Sequence, residues 1–136
     1  LDKDTTGAIL LTNDGNLSQF LMHPKNNIEK EYIATTDQFI NEKNVKRILK
    51  GVFIGSNERG KAKIISQEPI KGKIEVKMIL KQGKKNEIRR IFKFLDLNLY
   101  SLNRTRIGEI ELSNLLLGSW RPLTKKELNF LAKIQS

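Results

Sequence analysis

Residues 1–15 read LDKDTTGAILLTNDG and place two acids and two hydroxyl side chains just before an apolar run at residues 8–12. Asn13, Asp14 and Gly15 supply the turn chemistry expected where a buried strand ends. We therefore predict a buried strand at 8–12 with a polar loop in front of it. Catalytic groups are often held on loops of this kind. The alternative is an ordinary turn in which Asp4 and Thr5 bond to backbone amides, and these residues alone leave both interpretations open.

Beyond this stretch, four segments have the apolar spacing of an amphipathic helix. The first begins at Asn16 and is stopped by Pro24, and the second runs from Asn41 to a C-terminal Gly51. The third covers residues 88–95, and the last begins with the capping-box pattern 124–127. The side chains predicted to face the core are Leu17, Phe20, Leu21, Val45, Ile48, Leu49, Ile88, Ile91, Phe92, Leu95, Leu128, Leu131 and Ile134.

Extended patterns lie between these helices. Strands are predicted at 29–36, 74–80, 99–107 and 109–112, and a hairpin joins 52–54 to 61–67. Strands interleaved with helices through short turns indicate an α+β domain, with a mixed, mostly antiparallel sheet and helices packed on one side. We expect one domain over residues 1–136. Because the run at 8–12 needs strand neighbours and the chain starts without methionine, we also expect it to be part of a longer protein.

Composition excludes several classes of site. The chain has 136 residues, 38% of them hydrophobic, with no cysteine and a single histidine, His23. Disulfides and thiolate zinc sites are therefore impossible, and one histidine cannot build a metal site alone. No apolar run approaches the ~20 residues that a membrane span requires, and the first residues do not resemble a signal peptide. A cytoplasmic protein without a metal is expected.

The charge is large and uneven. The net charge is +10; residues 1–68 hold ten Lys and Arg against nine Asp and Glu, whereas residues 69–136 hold fifteen against six. Such an excess favours a polyanionic partner, because each neutralised phosphate releases counterions. The alternative is that the lysines only keep the protein soluble, and charge alone leaves this open.

Residues 1–15 also resemble a known signature, that of pseudouridine synthases acting on single uridines of ribosomal RNA. The signature reads Gly-Arg-Leu-Asp, then Thr or Ser, then Gly and a leucine-rich strand ending in Asn-Asp-Gly. The catalytic aspartate of the Leu-Asp pair corresponds to Asp2. The Gly-Arg that should precede Leu1 is missing.

Further blocks of the chain resemble the same family in the same order. Residues 21–24 and 28–32 match a segment whose active-site tyrosine corresponds to Tyr32. Residues 83–92 match a segment in which Arg89 corresponds to the arginine paired with the catalytic aspartate, and Ile88 to an apolar pocket residue. Residues 102–108 and 117–124 match the closing blocks. Lys85, Asn86 and Ile91 depart from the pattern, which usually has Asn, Arg and Met at these positions.

The resemblance implies an isomerisation of uridine to pseudouridine with Asp2, Tyr32 and Arg89 as catalytic residues. Ile88 and Thr5 would line the substrate pocket. A carboxylate can act as a nucleophile or a base, and a neighbouring arginine favours its charged form. Nothing is oxidised or hydrolysed, so no cofactor is expected.

Ribosomal RNA is the implied partner, and the target base must leave its stack to be turned. The cations expected to contact RNA phosphates are Lys84, Lys85, Arg90, Arg104 and Arg106. Residues 25–32 favour large-subunit RNA, and family resemblance favours a monomer. The alternative is a non-catalytic RNA-binding fragment of such an enzyme.

Three other features have simpler interpretations. Residues 55–62 nearly match a phosphate-binding P-loop, but Ala62 stands where Ser or Thr should hold magnesium, and no helix is predicted to open there. His23, before Pro24, is interpreted as a helix-end residue. Trp120 is predicted to be a core anchor.

Overall fold

The computed structural model describes all residues from Leu1 to Ser136 and contains eight strands and four α-helices. The strands are β1 (Thr6–Gly7), β2 (Lys30–Thr36), β3 (Val52–Phe53), β4 (Arg59–Gly60), β5 (Lys63–Ile70), β6 (Lys73–Leu80), β7 (Leu99–Ile107) and β8 (Ile110–Glu111). The helices are α1 (Gly15–Met22), α2 (Glu42–Lys50), α3 (Glu87–Phe94) and α4 (Lys125–Gln135), with a short 3-10 helix at Pro24–Asn26.

Six of the strands form the main sheet. Its order is β1-β7-β2-β6-β5, with β8 beside β7, while β3 and β4 pair separately. Only the β1–β7 pair is parallel; the other pairs are antiparallel. The predicted α+β class with a mixed, mostly antiparallel sheet is confirmed.

The larger core lies on one face of this sheet. Ala34 is paired with Val76 and with Leu102, so these side chains point to the same side, and all three are buried. Ile48 of α2 and Phe92 of α3 pack against that face, each at most 1% exposed. The predicted arrangement of helices on one side of the sheet is therefore correct for this core.

A second, smaller core brings together side chains from the first and last parts of the chain. Ala8, Ile28 and Ile107 are buried together, and partly buried side chains of α1 and α4 pack against them. α4 begins with the predicted capping box, in which Thr124 and Glu127 bond reciprocally. Helices α2 and α3 therefore contribute to the larger core, and α1 and α4 to the smaller one.

The predicted strand at 8–12 is wrong. The strand is instead Thr6–Gly7, and only Ala8 of the apolar run is buried, whereas Ile9 is 63% and Leu11 is 85% exposed. β1 has a hydrogen-bonded neighbour on one side only, β7, so the chain beyond Ala8 has no second strand to continue the ladder.

Four smaller predictions are also wrong. The predicted hairpin between 52–54 and 61–67 does not form. β3 pairs instead with Arg59–Gly60, inside the expected turn, and the segment from Lys63 pairs with β6. Leu49 and Leu128 are more than half exposed, because each lies at the margin of its helix's apolar face. Trp120 is 82% exposed, in a segment without regular structure.

Two of the simpler interpretations are confirmed. No helix follows the P-loop-like stretch at 55–62; the chain instead turns, forms β4 and then enters β5. The His23 side chain accepts a hydrogen bond from the Lys25 amide and caps the 3-10 helix.

Candidate active site

The segment that carries Asp2 is held against the sheet by a glycine. Gly7 has φ +114°, a region that favours glycine, and a Cβ atom there would collide with the backbone of Arg104. This close approach allows the Ala8 amide to donate to the Arg104 carbonyl at 2.8 Å. Residues 1–5 are therefore placed beside the edge of the sheet.

Arg89 reaches this segment from α3. Its neighbour Ile88 is buried in the core, as is Phe92 one turn later, so the helix is fixed and Arg89 projects from its margin. Arg89 Nε donates to Asp2 Oδ2 at 2.9 Å, and Nη2 donates to Thr5 Oγ1 at 3.2 Å. Thr5 Oγ1 donates in turn to Asp2 Oδ2 at 3.3 Å.

This triangle is partly shielded from water. The side chains of Asp2 and Arg89 are 25% and 31% exposed. A charge-assisted hydrogen bond is shorter and stronger than one between neutral groups, and partial burial strengthens it further. The two residues are 87 positions apart in the chain, and the fold brings them together as the resemblance implied.

Asn86 is a further partner of Asp2. With its amide nitrogen facing the carboxylate, Asn86 donates to Oδ1 at 2.8 Å and to Oδ2 at 3.0 Å. This orientation is required because an ionised carboxylate only accepts hydrogen bonds. The residue attracted notice in the sequence only as a departure from the family pattern.

Glu87 anchors the loop that carries Asn86. Its carboxylate, in a residue only 4% exposed, accepts hydrogen bonds from the Lys61 amide at 3.0 Å and from Gln82 Nε2 at 2.7 Å. The Lys84 amide is a third donor, at 3.3 Å. Burial raises the pKa of Glu87, while these hydrogen bonds oppose that rise. Residues 82–87 are thus tied to β4 and to the start of α3.

Tyr32 lies on the same face of the sheet but makes no hydrogen bond to Asp2 or Arg89. In the register, Gly7 is beside Arg104 and Arg104 is beside Tyr32, which puts Tyr32 two strands from β1, at about 10 Å. It is partly buried and packs against the larger core.

Lys30 is a cation on this face that the sequence did not single out. It lies two residues before Tyr32 in β2 and so points to the same side. Burial lowers the pKa of Lys30, and the neighbouring Arg104 lowers it further, while Glu87 acts in the opposite direction. No carboxylate forms an ion pair with it. The signal that could have identified Lys30 in the sequence is its spacing of two residues from Tyr32, which puts both side chains on one face of the strand.

The five cations expected at RNA have different surroundings. Arg90 donates to the carbonyls of Ile54 and Gly55 and pairs with Glu58 at 3.0 Å, and Arg106 pairs with Glu29 and Glu31, so these two are engaged within the fold. Arg104 Nε donates to the Ala8 carbonyl, and Lys84 Nζ to the Arg59 carbonyl. Lys85 is exposed. RNA contact by any of them stays a prediction.

Arg89 also lines a shallow cavity of about 300 Å³. Both polar and apolar side chains line this cavity, among them Lys93, Asn98 and Phe92. Ile88 does not line it and belongs to the larger core.

No group of three His, Cys, Asp or Glu side chains is arranged to hold a metal ion, and none of the helices has the length and apolarity to cross a membrane.

Comparison with known proteins bears on this arrangement. A family model described as RNA pseudouridylate synthase matches residues 1–94. The chain is 37% identical over 134 residues to the dual-specificity RNA pseudouridine synthase RluF of Escherichia coli strain K12, covering 98% of this chain and 45% of that protein. It is 33% identical over 129 residues to ribosomal small subunit pseudouridine synthase A of Salmonella typhimurium, covering 94% and 55%.

A solved structure is similar to this chain in fold as well as in sequence. A crystal structure of a pseudouridylate synthase superposes with a TM-score of 0.84 at 31% identity, over 96% of this chain and 56% of that one. The chain spans about half the length of the curated relatives it matches. The match to the family model extends through Asp2, Tyr32 and Arg89. By its sequence and by its fold, this chain belongs to the RNA pseudouridylate synthase family.

Proposed function

We propose that this chain isomerises a uridine of ribosomal RNA to pseudouridine, with Asp2 as the catalytic residue. One observation carries the proposal: Asp2, Arg89 and Thr5 meet in a partly buried triangle, with Asp2 Oδ2 2.9 Å from Arg89 Nε. An aspartate held in this way is oriented and partly exposed, as a nucleophile or a base must be.

The reaction needs no further reagent. The bond between the sugar and the ring nitrogen breaks, the base turns, and a new bond forms from the sugar to a ring carbon. That carbon loses its hydrogen to water, and the ring nitrogen gains a proton. Asp2 would either attack covalently or move a proton, and in both roles the hydrogen bond from Arg89 would orient its carboxylate.

The surroundings suit a base that has left its stack. Tyr32 lies on the same face as the triangle, about 10 Å from β1 across two strands, and its phenol is an aromatic surface on which a planar base would stack. Lys30 and Arg104 are adjacent cations on this face. A phosphate group of the flipped nucleotide would offset the repulsion between them.

The proposed substrate is ribosomal RNA, and large-subunit RNA is the more specific choice. Support for that choice is the stretch at 25–32; RluF is named as dual-specific and the Salmonella relative as a small-subunit enzyme, so relatives differ in target. We further propose that the chain acts in the cytoplasm as a monomer without metal or cofactor.

A second candidate is a non-catalytic RNA-binding segment of such an enzyme. Its support is the uneven charge, with fifteen Lys and Arg against six Asp and Glu in residues 69–136, together with the fact that the chain spans about half of its relatives. Both candidates bind RNA, and only the first changes it.

Tritium release separates the two. Ribosomal RNA without modifications is labelled at the uracil carbon that becomes the new attachment point and is incubated with the parent chain and with Asp2→Ala. We expect release by the parent and none by the variant, with RNA binding retained in both. Binding by the parent without release would leave only the second candidate.

A further inference from the structure

We propose that Asn86 is a positioning residue that holds the Asp2 carboxylate so that Oδ1 faces the substrate. The inference rests on the proposed function, because it assigns Asn86 a part in the same reaction. It follows from the backbone of Asn86, from the hydrogen bonds of Asp2 and from the freedom that the other contacts leave.

Asn86 does not act as an ordinary helix cap. It is the N-cap residue of α3, a position where asparagine side chains usually accept a backbone N–H, but its side chain makes no such bond. Its backbone is left-handed, with φ 51° and ψ 34°, a conformation that asparagine tolerates better than most residues. The side chain is thereby directed to Asp2 instead of to the helix.

The two oxygens of Asp2 are used unequally. Oδ2 is within hydrogen-bond distance of Arg89 Nε at 2.9 Å, Thr5 Oγ1 at 3.3 Å and the Asn86 amide at 3.0 Å. Oδ1 has the Asn86 amide alone, at 2.8 Å. Because each carboxylate oxygen has about two acceptor positions, Oδ1 is the oxygen with capacity left for a substrate.

Arg89 and Thr5 cannot fix Oδ1 by themselves. Both contact only Oδ2, since the second guanidinium nitrogen of Arg89 goes to Thr5 and the pair is not bidentate. Rotation about the last side-chain bond of aspartate is broad, so a carboxylate held at one oxygen can still turn. Asn86 contacts both oxygens and removes this rotation.

Asn86 is itself well supported. Its carbonyl accepts the Arg90 amide at 2.9 Å in the first turn of α3. The next residue is the buried Glu87, whose carboxylate binds the amides of Lys61 and Lys84. The side chain of Asn86 is nevertheless exposed, so replacing it should not unfold the protein.

Two substitutions separate the amide from the backbone. Asn86→Gly keeps the left-handed conformation and removes the amide, whereas Asn86→Asp keeps shape and conformation but replaces the donor with an acceptor. The matched control is Asn57→Gly, at another exposed asparagine with a left-handed backbone, φ 57°, whose side chain makes no hydrogen bond to Asp2, Thr5 or Arg89. Turnover and KM are measured by tritium release, and stability by thermal unfolding.

For Asn86→Gly we expect kcat to fall about 10- to 100-fold, with KM and the unfolding temperature nearly unchanged, because the reacting oxygen is misplaced. Asn86→Asp should fall further, since two carboxylates then face each other. Asn57→Gly should match the parent. Parent-like kcat in Asn86→Gly, or in Asn86→Asp, would overturn the proposal.

A second readout does not depend on activity. The side-chain amide signals of Asn86 in a nitrogen-proton NMR spectrum should move when Asp2 is changed to Ala, because their acceptor is removed. Signals that stay in place would also overturn the proposal. Failure of the proposed function looks different: the parent itself releases no tritium, whatever the amide signals show.

Discussion

Arg89 divides its guanidinium between two acceptors, Asp2 and Thr5, 2.9 and 3.2 Å away. The planar guanidinium serves them from two separate nitrogens at fixed positions. A lysine ammonium could donate only from a single nitrogen at the end of a flexible chain, so it would not hold the two contacts in the same geometry. The pair therefore depends on the shape of the arginine as well as on its charge.

Arg89→Lys tests this dependence. We expect the variant to fold normally and to bind RNA, with turnover reduced about 10- to 100-fold because Asp2 is less well oriented. Arg47→Lys, at an exposed position on α2, is the control for a loss of guanidinium elsewhere. Equal turnover in Arg89→Lys and the parent would show that charge alone suffices.

Lys30 gives a prediction about RNA binding. If its ammonium group meets a phosphate, Lys30→Met should weaken binding and reduce the slope of log affinity against log salt by roughly 1. Lys43→Met removes an exposed lysine of α2 and should leave the slope unchanged. An unaltered slope in Lys30→Met would place the phosphate elsewhere.

At this scale, part of the site could be predicted. The pairing of Asp2 with Arg89 was expected from two short patterns, although 87 positions separate the residues. The contact of Asn86 with Asp2 was not expected, because it depends on a left-handed backbone and on a loop that Glu87 holds in place. Arg90 and Arg106 resembled RNA contacts in sequence, but acidic and carbonyl partners within the fold engage them.

Among the elements, β1 positions the segment that carries Asp2 through a single close approach, that of Gly7 to Arg104. Gly7→Ala should detach residues 1–7 from β7 and abolish turnover while the rest of the sheet persists. Hydrogen exchange would report this as lost protection of the Ala8 amide, which donates to Arg104.

Gly72→Ala is the matched control for Gly7→Ala. Gly72 also has a positive φ, +79°, but nothing lies within 4 Å of a Cβ added there. It should cost about 1 kcal/mol of backbone strain and leave Ala8 protected. Similar protection of Ala8 in both variants would contradict the role given to Gly7.

The start of α4 gives a pH prediction. A hydrogen bond from Arg121 lowers the pKa of Glu127 from 4.5 to about 2, against the effect of burial. A carboxyl group with a lowered pKa in the folded state stabilises that state above its unfolded pKa, and the contribution is lost as pH falls from about 4.5 to about 2. Glu127→Gln should therefore unfold at a lower temperature than the parent at pH 6, and the difference should shrink towards pH 2. A constant difference would contradict this.

The elements were easier to predict where local pattern and packing agree. The alternation in β6 and the capping box of α4 are local features, and both helix and strand formed as expected. The prediction of a strand at 8–12 was wrong because a strand needs neighbouring strands in the sheet, and a local sequence pattern does not show whether these exist. Trp120 failed for a related reason: its size favours burial, but no element packs over it.

For the whole molecule, the fold puts the triangle, Tyr32 and Lys30 on one face of the sheet, and the charge excess of residues 69–136 belongs to the half that contains Arg89. The chain spans about half the length of its curated relatives, so the question at this scale is whether these residues suffice for chemistry.

The most direct measurement is to locate pseudouridine in ribosomal RNA after incubation with the chain, by carbodiimide modification and primer extension. The account predicts new stops with the parent, confined to specific uridines, and none with Asp2→Asn, which keeps the shape of the side chain but not its charge. RNA that is bound by the parent and still shows no new stop, or stops that persist in Asp2→Asn, would contradict it.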